Sequence, residues 1–315
     1  MTTTTVPPAP EVAPPRPVRP RVAERLREER RLGWMLAGPA FAVMLLVTLY
    51  PISQAVYESL FDYRLTTPDN RSFTGLSNYG VILTDRVWWD DLFTTFIIVL
   101  ITVSVELVLG FGLAIVMQRA LAGLRPILRT AILIPYAIIT VVSAFAWQYA
   151  FDIDTGFVNS WLGLGDFDWF GERWSSLFVI ILSEIWKTTP FISLLLLAGL
   201  AQVPDVLQRA AQVDGATAWQ RLWKVTIPNM KGAILVAVLF RTLDAFRIFD
   251  NIFIMTGGAN ETESVSFLAY RQTISRLEIG LGSAISVLLF IAVVLISGLF
   301  IKGFKVDLAE ARGER

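Results

Sequence analysis

Polar and ionisable residues interrupt two long apolar segments of this sequence at the spacing of a helix. In the first of these segments, Glu184, Lys187 and Thr188 stand at positions i, i+3 and i+4, and Phe191 follows at i+7. At about 100° per residue, these side chains share one helical face. A charged side chain inside a membrane is costly unless it faces protein or water, so such residues are functional candidates by default.

The second segment repeats the pattern. Asp244, Arg247 and Asn251 fall within about 60° of one another on a helix, and Arg241 and Asp250 flank them. We expect Asp244 and Arg247, three residues apart, to neutralise each other. Carboxylates, cations and amides beside aromatic rings suit a hydroxyl-rich ligand, although a buried ion-pair network that sets helix register would use the same residues. The candidates for a polar pathway are Glu184, Lys187, Thr188, Phe191, Arg241, Asp244, Arg247 and Asn251.

The elements that position these residues are membrane helices. The chain has 315 residues, of which 54% are hydrophobic, and its mean hydropathy is +0.57. Apolar runs of about 20 residues are long enough to cross a bilayer, so we predict an all-α, multi-pass membrane protein. Glu106, alone in the second span, is interpreted as a structural hydrogen-bonding group. The six predicted spans are Leu32–Ser59, Leu92–Met117, Thr130–Tyr149, Leu177–Leu200, Gly232–Ile254 and Leu281–Gly303.

Composition excludes several classes of site. The sequence contains no Cys and no His, which removes thiol catalysis, disulfides and Cys/His metal sites. It has no phosphate-binding loop of the type found in ATPases. The net charge is zero, and nothing indicates nucleic acid as a partner. We therefore predict no catalytic residue, no metal site and no ATPase site in this chain.

Charge distribution predicts the orientation and the organisation of the chain. With the N-terminus inside, 18 Arg and Lys residues lie on the inner side and six on the outer side, so both termini are expected in the cytoplasm. We predict a disordered, basic N-terminal tail (1–32), a first span with its outer loop (33–91), a core of five helices (92–303) and a cytoplasmic tail (304–315).

The inner segment 201–231 is the most distinctive part of the sequence. A helix is expected to start at Pro204 and to end at Gly215, since glycine suits a left-handed turn after a helix. A second short helix is expected over Thr217–Val225. The order Ala-Ala-x-x-Asp-Gly-Ala, followed by Ile227 and Pro228, resembles the cytoplasmic coupling loop of ATP-binding-cassette importer permeases. The resemblance assigns ATPase coupling to Arg209, Ala210, Ala211, Asp214, Gly215, Ala216 and Pro228.

The resemblance extends over roughly residues 33–303. The segments Trp186–Phe191, Phe240–Asp250 and Thr256–Gly258 are similar to carbohydrate-importer permeases of the maltose type, and in particular to permeases of trehalose importers. Two positions depart from the family pattern: Arg209 replaces the usual Glu, and Gly232 replaces the usual second Pro.

This resemblance implies a type I importer permease fold with six transmembrane helices, in the cell inner membrane. It also implies a disaccharide as solute, such as trehalose, and alternating access. The implied partners are a second homologous permease, two cytoplasmic ATPases that use ATP and Mg²⁺, and an extracytoplasmic sugar-binding lipoprotein. No cofactor is expected on this chain itself.

Two other classes remain open from the residues alone. A polytopic membrane enzyme would need a catalytic set that the sequence does not display. A secondary transporter would more often show additional spans with inverted repeats. Co-purification with ATPase subunits distinguishes an importer permease from both.

Overall fold

The computed structural model describes residues 20–121 and 123–303, with side chains from residue 31 onward. The regular structure in this part of the chain is mostly helical. One short antiparallel hairpin pairs β1 (Phe61–Asp62) with β2 (Ser72–Phe73), and an isolated bridge joins Arg64 to Glu278. Two π-helical turns, Leu222–Thr226 and Arg271–Ser275, continue neighbouring helices. The helices are α1 (Pro20–Glu58), α2 (Ser77–Thr84), α3 (Arg86–Arg119), α4 (Arg125–Ala137), α5 (Thr140–Phe151), α6 (Val158–Leu162), α7 (Arg173–Leu200), α8 (Asp205–Val213), α9 (Ala218–Arg221), α10 (Ile227–Asn229), α11 (Lys231–Ala245), α12 (Asp250–Met255), α13 (Val265–Tyr270) and α14 (Ile279–Gly303).

The chain divides into two units, residues 1–54 and 55–315. In the first unit, the described residues belong to α1. This helix begins at Pro20, so residues 20–32 of the basic N-terminal tail are part of it. The predictions for residues 1–19 and for the tail 304–315 lie outside the described residues.

Within the part of the chain that the structure describes, four helices are long and apolar enough to cross a membrane: α3, α7, α14 and the part of α1 from Arg31 onward. A fifth span results if α4 and α5, which meet at a bend of 84°, are taken together. The prediction of six continuous spans is therefore corrected in two places. The third predicted span is broken between α4 and α5, and the fifth is broken between α11 and α12.

The break in the third span follows a proline. Pro135 has no N–H to donate to the carbonyl one turn earlier, which weakens a helix at this point. Ile138, three residues later, has extended backbone angles (φ −73°, ψ 137°), and α5 starts at Thr140. Pro190 does not interrupt its helix: α7 is continuous from Arg173 to Leu200.

The break in the fifth span contains neither proline nor glycine, and tertiary contacts account for it. The carbonyls of Phe246 and Ile248, which no longer serve a regular helix, accept hydrogen bonds from Ser266 (3.5 Å) and Ser264 (2.8 Å). Both serines lie at the start of α13. Because freed backbone groups at membrane depth need partners inside the protein, these side chains stabilise the break.

Close helix packing fixes α7 between α3 and α11. A Cβ atom at Gly110 of α3 would lie 2.8 Å from Cγ2 of Ile192 and 3.2 Å from the backbone nitrogen of Ser193. A Cβ at Gly199 of α7 would lie 2.5 Å from that of Ala233 in α11. Small residues allow membrane helices to approach in this way. The three helices therefore hold Glu106 of α3, Glu184 of α7 and Arg241 of α11 at fixed positions relative to one another.

Candidate functional site

The side chain of Arg241 lies at the junction of α3, α7 and α11, and it is fully buried. Its Nε donates to Oε2 of Glu106 at 2.6 Å and its Nη2 to Oε1 of the same carboxylate at 3.0 Å. Nη2 also contacts Oε1 of Glu184 at 2.9 Å, and Nη1 contacts Oδ2 of Asp244 at 2.9 Å. One guanidinium thus binds carboxylates from three helices, in the forked geometry that arginine favours.

Two uncharged side chains complete this network. Thr188 donates its hydroxyl to Oε1 of Glu106 at 2.6 Å, and Nδ2 of Asn251 donates to Oε2 of Glu184 at 2.6 Å. Asn251 belongs to α12, so Glu184 connects both halves of the broken fifth span. The Oδ1 atom of Asn251 is buried and has no hydrogen-bond partner among the described residues. It remains available to accept a hydrogen bond.

The network corrects one expectation and confirms another. Asp244 pairs with Arg241, three residues before it, and not with Arg247, three residues after it. Arg247 is exposed and forms no ion pair within the described part of the chain. The interpretation of Glu106 as a structural hydrogen-bonding group is confirmed, because its buried carboxylate binds both Arg241 and Thr188.

A polar cleft of about 370 Å³ opens beside this network, at the level of both helix breaks. Small-ligand sites commonly occupy roughly 300–1,000 Å³. Irregular backbone at membrane depth is tolerated where it is buried in protein or lines a cavity, and both breaks contribute residues here. The cleft is lined by Tyr136, Thr140, Glu184, Lys187, Thr188, Asp244, Arg247, Ile248, Phe249, Asp250 and Asn251.

All of the predicted pathway residues except Phe191 and Arg241 line this cleft. Arg241 lies behind it and binds two of the lining carboxylates, those of Glu184 and Asp244. Phe191 stacks on Tyr136, a lining residue, with ring centroids 5.4 Å apart. Lys187 holds its Nζ atom 5.6 Å from the centre of the same Tyr136 ring.

Sequence reasoning missed the residues that line the cleft from the breaks themselves. Tyr136 and Thr140 flank the bend between α4 and α5, and Ile248 and Phe249 belong to the break between α11 and α12. A proline near Tyr136 was a usable signal. No comparable signal exists at Phe249, whose ring packs 5.0 Å from Tyr270, a residue distant in sequence.

The cleft offers both hydrogen-bond donors and acceptors to a ligand. Glu184 and Asp244 already bind Arg241. Lys187 and Arg247 have no ion pair among the described residues, and neither does Asp250. Two cations and a carboxylate without ion-pair partners among the described residues therefore line a volume bordered by aromatic rings. Such a surface suits a neutral ligand rich in hydroxyl groups.

The segment 201–231 forms two short helical arms around Gly215. Gly215 has φ +78°, its N–H bonds the carbonyl of Gln212, and the N–H of Ala216 bonds that of Ala211. This is the Schellman arrangement that ends a helix with a left-handed glycine, as the sequence predicted. The second arm starts at Ala218 and continues through a π-helical turn and α10 to Asn229, so it is longer than predicted.

Thr217 caps the second arm in a reciprocal capping box with Gln220. Large apolar side chains are exposed on both arms. Val213 is 88% exposed and Trp219 is 67% exposed. Among the residues predicted to couple, Arg209, Ala210, Asp214, Gly215 and Pro228 are exposed, while Ala211 and Ala216 are half-buried. Exposed apolar surface of this kind often marks a protein interaction site.

A family model described as "Binding-protein-dependent transport system inner membrane component" matches residues 78–304. The chain belongs to this family. It is a multi-pass inner-membrane permease component of a binding-protein-dependent transport system.

Relatives of the permease extend over most of its length. It is 52% identical to the trehalose transport system permease protein SugA of Mycobacterium tuberculosis, over 88% of this chain and 89% of that protein. It is 36% identical to the trehalose/maltose transport system permease protein MalF of Thermococcus litoralis, over 87% and 94% of the two chains.

Solved structures show the same fold. A chain from a bacterial ABC transporter involved in the import of alginate matches with a TM-score of 0.75 and 19% identity, over 91% of this chain and 99% of that one. The permease therefore has the type I importer fold that the sequence predicted.

Replacing Arg241 tests the buried network. Arg241→Ala leaves the carboxylates of Glu106 and Glu184 buried without their cation, which costs about 3–5 kcal/mol for a buried pair. We expect the yield of assembled complex and its thermal stability in detergent to fall sharply. The matched control is Arg247→Ala in the same broken segment, which should leave both unchanged. Equal stability of the two variants would contradict the central role of Arg241.

Proposed function

We propose that this permease forms half of the translocation pathway of an ATP-driven importer for a disaccharide, trehalose or a close relative. The observation that carries the proposal is the meeting of two broken helices at one polar cleft. Solute sites in membrane transporters commonly lie where interrupted helices expose polar groups near the bilayer midplane. The names of the two relatives reported above support a sugar of this class.

The chemistry of the cleft supports a sugar. Each sugar hydroxyl both donates and accepts, so it is matched by a surface that offers cations and a carboxylate together. We infer that Arg247, Lys187 and Asp250 contact hydroxyl groups. Phe249 and Tyr136 offer ring faces for the apolar side of a pyranose. Glu106 and Arg241 do not line the cleft. They hold Glu184 in place, and Glu184 in turn holds Asn251.

Uptake of labelled trehalose tests the substrate and the cleft together. Unlabelled trehalose should compete, whereas glucose should not. A hydrogen bond to a charged group contributes about 1.5–3 kcal/mol, so Arg247→Ala should lower transport efficiency roughly 10- to 100-fold. Complex yield should stay normal. The control is Arg86→Ala, which removes an exposed arginine paired only with Asp90.

Two outcomes would oppose this assignment. Normal uptake by the Arg247→Ala variant at normal expression would remove that residue from the pathway. Failure of trehalose to compete, with another sugar competing, would keep the permease assignment and change the substrate.

We further propose that the 201–231 segment couples the permease to an ATPase. Its exposed apolar side chains, including Val213 and Trp219, would enter a groove on the ATPase, in the way that amphipathic helices bind their partners. Two ATPases, a second homologous permease and an extracytoplasmic sugar-binding protein would complete the importer. ATP binding by the ATPases would then move the segments and switch the cleft between the two sides of the membrane.

Gly215 provides the test of coupling. Gly215→Pro is incompatible with φ +78° and removes the N–H that bonds Gln212. We expect trehalose uptake to be abolished while the permease still reaches the membrane. Gly215→Asn is the matched control, because asparagine tolerates left-handed angles; it should retain most uptake. Full uptake by the Gly215→Pro variant would contradict the coupling proposal.

We propose that both termini and the segment 201–231 face the cytoplasm, and that residues 152–174 face outside. The charge bias of the loops supports this orientation. The native chain has no cysteine, so single cysteines report topology directly. An impermeant thiol reagent should label Ser160→Cys in intact cells and Thr217→Cys only after permeabilisation. The reverse pattern would refute the orientation.

A further inference from the structure

A second polar cavity lies at the C-terminal end of α3. It has a volume of about 330 Å³ and is bounded by the last turn of α3, by α8 and by the second arm of the 201–231 segment. Arg119 and Arg221 line it from two different elements, and neither forms an ion pair or a side-chain hydrogen bond among the described residues. The cavity thus contains two cations whose charges are not neutralised within the described chain.

The local charge is positive. Asp205 is the acidic residue that lines the cavity, and Gln118 and Gln208 contribute amides. Arg125 lines neither cavity; its Nη2 donates to the carbonyl of Gln118 at 3.3 Å and its Nε to that of Ala120 at 2.8 Å. An anion with several acceptor oxygens would satisfy these donors, and a phosphate group fits arginine best.

An apolar groove adjoins the polar cavity. Its volume is about 610 Å³, it is formed by the end of α3 and by α4, and it shares Ile115 and Arg119 with the polar cavity. Its remaining lining includes Leu124, Ile127 and Leu128. Since α3 is a membrane-spanning candidate that ends at Arg119, we place the groove in the apolar layer and the arginines at its boundary. An amphiphile has the matching shape.

We propose that these two cavities form a binding site for an anionic phospholipid. The phosphate binds between Arg119 and Arg221, and an acyl chain lies in the groove along Ile115 and Leu128. Arginine pockets at the membrane boundary recognise anionic headgroups in this way. If the orientation proposed above holds, the lipid comes from the inner leaflet.

The site joins the membrane helices to the coupling segment. Arg119 belongs to α3, the helix that carries Glu106 of the buried network. Arg221 belongs to the second arm of the 201–231 segment. This arm is joined to α8 by a hydrogen bond of 2.9 Å, which Gln208 donates to Thr226. A phosphate held by both arginines therefore bridges α3 and both arms of the 201–231 segment. Lipid composition would then adjust how tightly the segment follows α3.

Lipid retained by the intact importer complex tests this site. The complex is purified in mild detergent, and bound phosphatidylglycerol and phosphatidylethanolamine are quantified by mass spectrometry per permease. Each arginine near a membrane surface changes affinity for an anionic lipid roughly fivefold, so Arg119→Gln with Arg221→Gln should lower retained phosphatidylglycerol roughly 25-fold. Phosphatidylethanolamine should not change. The readout is independent of transport, so it stands whether or not the solute is a disaccharide.

Two further variants separate this site from general surface charge. Arg129→Gln removes an exposed arginine of α4 that lines neither cavity, and it should retain wild-type lipid. Ala131→Trp fills the apolar groove without altering charge, and it should release phosphatidylglycerol as the double variant does. If the double variant fails to assemble, Ala131→Trp decides the question alone.

Three results would overturn the proposal. The first is equal loss of phosphatidylglycerol from the Arg129→Gln variant, which would indicate diffuse charge attraction. The second is displacement by excess inorganic phosphate with no effect of Ala131→Trp, which would indicate a free anion. The third is absence of bound phosphatidylglycerol from the wild-type complex, as expected if a partner subunit fills the cavities.

Discussion

A guanidinium group withdrawn from water needs an acceptor for nearly every N–H, because the penalty for an unpaired buried charge is large. Arg241 meets this requirement only where three helices meet, since its partners Glu106, Glu184 and Asp244 come from α3, α7 and α11. Glu184 in turn uses its second oxygen to bind Asn251 of α12. One shared cation therefore ties the three helices together. The same contacts hold Glu184 and Asp244, which line the cleft, in place.

The second constraint is the membrane itself, which offers no water to a broken helix. At the break after α11, serines from α13 satisfy the carbonyls of Phe246 and Ile248. At the bend after α4, the N–H of Ile138 bonds the carbonyl of Pro135 at 3.3 Å. Both solutions leave polar groups facing a cavity, and this is why the breaks and the candidate site coincide. The breaks in the spans therefore contribute directly to the polar lining of the cleft.

Local periodicity was sufficient to predict much of this site. Glu184, Lys187 and Thr188 share a helix face whatever surrounds them. The left-handed turn at Gly215 is predictable from the local sequence, without information from other elements. The partner of Asp244 could not be predicted, because Arg241 and Arg247 are equally distant along the helix. The choice is made by Glu106, which only the tertiary fold brings into contact. The break at residues 246–249 could not be predicted for the same reason. The serine side chains that stabilise it, Ser264 and Ser266, lie at least 16 positions away in sequence.

The glycine contacts of α7 have a mechanical consequence. Gly110 brings α3 against Ile192 and the backbone nitrogen of Ser193 in α7, and Gly199 brings α7 against Ala233 of α11, so the three helices are in close contact. Packed interiors respond to load by moving as blocks rather than by deforming smoothly. We therefore expect the three helices to move as one block, with any bending concentrated where the backbone is already interrupted. The interruptions are residues 138–139 and 246–249. Tyr136, Thr140, Ile248 and Phe249 lie beside or within them and line the cleft, so bending at these points would reshape the cleft itself.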